Sequence, residues 1–183
     1  MPLNGNLPEE ELIKNLNLRN PLIAGLLTWL VPGLGHYYQG RTAKAVLFFV
    51  CIVPIFLAGC VLGSNGEAGI ARNVYCSWRL QDRRYFFIPQ AFLGLAAVPA
   101  GVQALQLRNG QPPFLGSFMA AGKLALKDRT GAAPTIQKIQ QSLPWFEMGT
   151  YLTAIAGLMN LIVLFDAIDG PQLLPKRKED SAL

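Results

Sequence analysis

Four stretches of this 183-residue chain lack Asp, Glu, Lys and Arg altogether: 21–40, 45–63, 85–107 and 148–165. Charged residues make up 15% of the chain, against about a quarter in ordinary soluble proteins, and all of them fall outside those windows. Such segregation excludes a disordered chain and argues against a soluble enzyme. Histidine is nearly missing as well. His36 is the only one, so no histidine-based metal cluster and no Ser/His/Asp arrangement can be built away from it. Cysteine is too sparse for a disulfide framework: Cys51, Cys60 and Cys76 read as free thiols. Cys51 and Cys60 would lie about 13 Å apart on opposite faces of one helix. No basic stretch precedes the first apolar run; Glu9, Glu10 and Glu11 stand there instead. The run is therefore expected to be a retained membrane segment rather than a secretory signal. The net charge of +5 is scattered through the connections without a basic stripe, which argues for anionic lipid and against nucleic acid.

What is present reads as an all-α integral membrane protein, a bundle of about four transmembrane helices with interfacial amphipathic helices. Residues 1–19 form a polar N-terminal segment. Residues 20–63 form a helical hairpin whose first apolar run is interrupted by Pro32, Gly33 and Gly35, so it is expected to be kinked or re-entrant. A basic loop follows at 64–84, then a third transmembrane helix at 85–107. That helix contains Gln90, Gln103 and Gln106, amides that are costly in lipid and should face the bundle. The connection 108–147 holds two candidate interfacial helices, one around Phe114, Leu115, Phe118 and Met119, the other around Ile136, Ile139 and Leu143. The fourth transmembrane helix is 148–170, and 171–183 is a basic tail. With four spans, nine basic residues lie on the side of both termini and seven on the other, which predicts cytoplasmic termini.

Three groups of residues are candidates for function. The densest is the turn Gly33, Gly35, His36, Tyr37, Tyr38, Gly40, Arg41 and Lys44. It is one substitution from a phosphate loop, but a membrane run precedes it and Arg stands where that loop needs Lys. It fits a tight interfacial turn with snorkelling cations, or a headgroup or partner site with Arg41 as the phosphate fork. The second group is intramembrane and polar: Asn160, Asp166 and Asp169. Asn160 is the costliest and should be paired. The third group consists of small residues at helical spacing, Gly59 with Gly63 and Gly149 with Thr153 and Gly157, which let helix backbones approach closely.

The run Pro32-Gly33-Leu34-Gly35-His36-Tyr37-Tyr38-Gln39-Gly40-Arg41 resembles the TM2-type membrane module, in which a glycine-rich helix ends in such a turn before a basic residue and a second helix. The resemblance covers residues 20–63. The chain lacks the Asp-Arg-Phe signature of the animal members, so it does not imply a receptor-like role. Farther on, Phe114-Leu115-Gly116, Ala156-Gly157-Leu158-Met159-Asn160 and Asp166-Ala167-x-Asp169-Gly170-Pro171 are similar to a bacterial family of uncharacterised multi-pass membrane proteins. That resemblance implies an inner-membrane location and supplies no activity. No sequence repeat relates the two halves. The expectation is a non-enzymatic structural or partner-binding membrane component without cofactor or metal. Its partners would be the lipid bilayer and a membrane protein or a second copy of itself. The alternative is a lipid- or small-molecule-binding or transport accessory protein.

Overall fold

Asn20 and Pro21 start the first helix as their chemistry requires. The Asn20 side chain accepts a hydrogen bond from Leu22 N at 3.0 Å, and proline takes the first helical position. In this computed structural model, which describes residues 20–64, 69–79, 82–120 and 145–169, helix α1 (Pro21–Leu30) has ten residues. It rises about 15 Å, half the thickness of a hydrocarbon core. Gly33, at φ +84°, then reverses the chain, and α2 (Leu34–Tyr38) runs back along α1. The reversal depends on Gly35, whose Cα faces the Ala24 carbonyl and the Thr28 hydroxyl with no room for a Cβ. The first apolar run is thus a half-depth hairpin.

Helix α3 (Thr42–Leu62) contains Pro54 and has 21 residues, and α6 (Phe146–Asp169) has 24. Their lengths of about 32 and 36 Å match a bilayer core, and both are apolar enough to cross one. They pack antiparallel. Lys44 meets Asp166 near one end, and Gly59 meets Gly149 and Thr153 near the other, where a Cβ on Gly59 would lie 2.7 Å from the Thr153 methyl. The end that holds Asn20, Lys44 and Asp169 is called the terminal end below; the other is the loop end. The outward faces carry Val46, Leu47, Val50, Leu57 and Val61 on α3 and Ile155, Leu158, Ile162 and Phe165 on α6, all exposed. The inward face of α6 carries Gly149, Thr153, Ala156, Gly157, Asn160 and Ala167. Large apolar groups outside and small or polar groups inside is the arrangement that lipid selects.

The expected third transmembrane helix differs. Residues 87–108 form α4 (Phe87–Gln90), a 3-10 stretch (Ala91–Ala96) and α5 (Val98–Arg108), bent by 112°. Gly94, at φ 51° and ψ −111°, makes the break. Its Cα lies against the Trp29 carbonyl, so only glycine fits. The descending arm follows α6, with Gln90 at Thr153 and Phe92 at Asn160. The returning arm brings Gln103 to Phe118, whose neighbour Met119 donates to the Ile70 carbonyl at the loop end. This segment is a second hairpin, entering from the loop end. The described residues therefore contain two helices able to cross a membrane, or three if the bent pair is taken as one broken span. Both halves share one order, hairpin then long helix, run in opposite directions. The likeness lies in topology and leaves no repeat in the sequence.

Two connections also depart from expectation. In the connection expected as a basic loop at 64–84, the described residues Arg72, Asn73, Val74, Tyr75 and Cys76 are buried. Asn73 fills the space over Gly63 and donates to the Gly59 carbonyl at 3.1 Å. A two-residue antiparallel ladder, β1 (Trp78–Arg79) with β2 (Asp82–Arg83), closes the segment. The expected interfacial helix around Phe114 is a series of turns, with Gly116 and Met119 at positive φ and Met119 buried. The backbone bond from Met119 to Ile70 takes precedence over local helix formation. The second candidate, around Ile136, lies outside the described residues.

Candidate functional site

At the terminal end, α2 and the start of α3 converge on one carboxylate. His36 Nε2 lies 2.7 Å from Asp166 Oδ2, Lys44 Nζ 3.3 Å and Arg41 Nη2 3.5 Å from the same oxygen. Gln39 Nε2 donates to the Ala167 carbonyl at 2.7 Å, tying the turn to the last exposed carbonyls of α6. His36 is fully buried, and its ring meets Phe48 edge-on at 5.0 Å. A carboxylate only accepts, so Nε2 carries the imidazole proton and Nδ1 is left as the acceptor in the neutral ring. The Lys44 side chain is about half exposed.

At mid-depth the two hairpins meet. Asn160 lies fourteen residues into α6, about 21 Å along it. Its Nδ2 donates to Thr28 O at 3.1 Å in the first hairpin and to Phe92 O at 2.8 Å in the second. Trp29 Nε1 adds a bond to Ala91 O at 3.2 Å. Broken helices expose carbonyls, and in a dry interior each one needs a donor. Asn160 and Trp29 are those donors.

Nearer the loop end lies a third polar group. Gln90 Nε2 donates to Thr153 Oγ1 at 2.8 Å and to the Asn73 carbonyl at 3.3 Å. Arg84 Nη2 donates to Thr150 Oγ1 at 2.7 Å and to the Asn73 carbonyl at 3.1 Å. Its guanidinium also lies over Tyr75, 4.9 Å from the ring centre, and over Phe146 at 5.1 Å.

The structure thus unites His36, Arg41 and Lys44 with Asp166, residues that the sequence placed in two groups. Tyr37 is exposed and Tyr38 half-buried beside them. Gly33 packs on the backbone of Ala45, while Gly40 turns the chain at φ +80° in open space. Asp169 is exposed at the end of α6. Asn160 sits on another face, two turns away. Gly59, Gly63, Gly149, Thr153 and Gly157 all face other parts of the same chain: Gly63 faces Asn73, and Gly157 faces the Pro89 carbonyl. Thr28, Trp29, Asn73 and Arg84 join these polar groups without belonging to any of the three candidate groups in the sequence. Arg84 looked like one of several loop cations, and nothing in the polar 64–84 segment marks Asn73. Among the described residues, no group of three or more His, Cys, Asp or Glu is placed to hold a metal ion.

No curated protein and no solved structure matches the chain. A protein-family match covers residues 23–180, from the first hairpin through α6, and by it the chain belongs to the DUF6677 family of unknown function.

Proposed function

We propose that this is a non-enzymatic, multi-pass protein of the bacterial cytoplasmic membrane that binds a small hydrogen-bonding solute between its two hairpins and lets it pass. The meeting of the hairpins at Asn160 carries this reading. Helices broken at mid-depth place backbone polar groups where lipid makes them costly. Opposed half-depth elements around a polar midpoint are an arrangement that serves solute binding in membranes. The structural-component reading rested on small-residue faces awaiting a partner, and those faces pack within the chain. A catalytic role is disfavoured by the position of His36, buried and bonded to Asp166. The test is uptake by proteoliposomes of purified full-length protein, with urea, glycerol and methylamine as solutes. Entry faster than in protein-free vesicles supports the proposal; equal rates for every solute refute it.

A second reading concerns the terminal end. Arg41 and Lys44 together outnumber the Asp166 charge, and exposed Tyr37 stands beside them, which suits an anionic lipid headgroup. Loss of co-purified anionic lipid in Arg41→Gln would support it.

The hairpins also bear on orientation. The expectation of cytoplasmic termini assumed four full spans. With both hairpins turning back, nine basic residues lie towards the loop end and seven towards the terminal end. The same charge rule then places the loop end in the cytoplasm. A protease-sensitive tag at the C-terminus, cleaved only from outside intact cells, is the expected result.

A further inference from the structure

At the loop end the fold fixes one arginine in place without giving it a carboxylate. The turn from Gly69 to Arg72 is held in a sparsely populated backbone conformation, with φ at 112° for Gly69 and 52° for Ala71. Two bonds pin it to the end of α3. Ala71 N donates to Ser64 Oγ at 2.8 Å, and Arg72 N donates to the Gly63 carbonyl at 2.9 Å. The 114–119 turns are tied to the same place: Met119 N donates to the Ile70 carbonyl at 3.1 Å, and Gly69 packs directly on Ser117. Arg72 is thereby only 7% exposed. Among the described residues, the hydrogen bond of its side chain runs from Nη1 to the Ser117 carbonyl at 3.5 Å. A bond that long satisfies little of a guanidinium with five N–H donors.

No carboxylate of the described residues pairs with Arg72; Asp166 and its cations lie at the terminal end. Burial pulls the Arg72 pKa down, yet an arginine side chain stays protonated in proteins. Arg84 differs, because Thr150, the Asn73 carbonyl and the rings of Tyr75 and Phe146 occupy its guanidinium. A buried cation without a counter-charge is costly and calls for an anion. The surface lies within reach of it. Unlike Asn160 Oδ1 or Gln90 Oε1, no Arg72 nitrogen is both sealed from the surface and without a partner. The N–H groups that Ser117 leaves over therefore open outward from a buried stem. In the two turns beside them Ile70, Phe114, Leu115 and Ser117 are exposed. Trp78 and Trp145, also exposed at this end, are the side chains that mark headgroup level. A planar guanidinium takes two phosphate oxygens at once, and exposed apolar side chains beside it suit acyl chains rather than a free ion.

We propose that Arg72 holds the phosphodiester of a membrane phospholipid at the loop end, with the acyl chains against Ile70, Phe114 and Leu115. The site is separate from the cluster at Asp166, where a carboxylate already serves the cations. It stands whether or not a solute passes between the hairpins.

The test is native mass spectrometry of the full-length protein in non-ionic detergent, titrated with phosphatidylglycerol. Ser117→Asp sets a carboxylate beside Arg72 from an exposed position, so it supplies the missing counter-charge and excludes the phosphate. Ser117→Asn has the same size without the charge. Ser117→Asp is expected to weaken lipid binding about tenfold, the loss of a charge-assisted pair, while Ser117→Asn leaves it unchanged. Without lipid, Ser117→Asp should melt no lower than Ser117→Asn; a lower melting temperature overturns the proposal, because Arg72 then lacks no counter-charge. On the unmodified protein, diacylglycerol with the same chains should not be retained, and inorganic phosphate should not displace the lipid at equal concentration. Equal binding of phosphatidylglycerol by Ser117→Asp, or equal retention of diacylglycerol, overturns the phosphate site. Displacement by inorganic phosphate assigns Arg72 to the free ion and overturns the lipid. Lipid lost from Arg41→Gln but kept by Ser117→Asp places it at the terminal end and overturns the proposal as well.

Discussion

Replacing Asn160 with leucine tests how the two hairpins are held. The substitution is close in size and removes both amide donors. Thr28 O and Phe92 O then lose bonds of 3.1 and 2.8 Å in a fully buried setting. A buried carbonyl left without a donor costs about 1–3 kcal/mol, so the pair sets an upper range of about 2–6 kcal/mol. Bonds inside membrane proteins average nearer 0.6 kcal/mol, which sets a floor of about 1 kcal/mol for two. Leucine also removes the orphaned Asn160 Oδ1, which offsets part of the loss. Lipid supplies no hydrophobic gain for burying the new side chain. We expect a loss of about 2–3 kcal/mol, within the span those two bounds set. It would be measured by reversible unfolding in mixed detergent micelles, with Ile162→Leu on the lipid-facing surface as control. Trp29 supplies a local reading, because its indole bonds Ala91 across the same junction. With Trp78 and Trp145 replaced by Phe in both backgrounds, its emission should shift to the red in Asn160→Leu. A stability change under about 0.5 kcal/mol, the scatter of surface substitutions, with unchanged Trp29 emission would refute the reasoning.

Gly157→Leu should prevent recovery of monodisperse protein, because the new side chain meets the Pro89 carbonyl, whereas Gly101→Leu, in open space, should leave size-exclusion behaviour unchanged. Asp166→Asn keeps shape and removes the charge shared by His36, Arg41 and Lys44. Since Asp166 is about a third exposed, the expected thermal destabilisation is only about 1 kcal/mol. Cys76 should label slowly with maleimide in folded protein whichever side of the membrane is probed. It is buried, and burial pushes its thiol pKa up, partly opposed by a hydrogen bond to Trp78, so little thiolate forms near neutral pH. Labelling should speed up in denaturant and as pH rises.

The long helices were plain in the sequence because lipid-facing residues must be apolar over their whole length. Charge-free windows at 45–63 and 148–165 mark α3 and α6 closely. The hairpins were harder. Pro32 and Gly33 announced trouble in the first apolar run, and the sequence allowed a re-entrant form. Gly94 gave no such warning, because its unusual backbone is set by Trp29, more than sixty residues earlier. Hydropathy reads composition and is blind to a reversal in the middle of an apolar stretch. Polar residues within the windows were the better guide. Gln90, Gln103 and Asn160 are all buried and bonded, as the cost of a lipid-facing amide requires. The same reasoning failed outside the windows. Asn73 and Arg84 have the composition of a solvated loop, yet the close approach of α3 and α6 at Gly59 and Gly149 leaves a gap for Asn73 to fill.

The bond between His36 and Asp166 joins residues 130 positions apart. A ribosome adding about 5–20 residues each second takes roughly 6–26 s to cover that distance. Throughout that interval the first hairpin has been made and α6 has not. Thr28 O, the imidazole of His36 and the amide of Gln39 must wait for partners that the last helix brings. During synthesis the first apolar run therefore either rests at the bilayer surface or shelters in the insertion machinery. It reaches its final depth only when the final helix arrives, so a chain truncated before residue 160 should leave its N-terminal hairpin open to degradation.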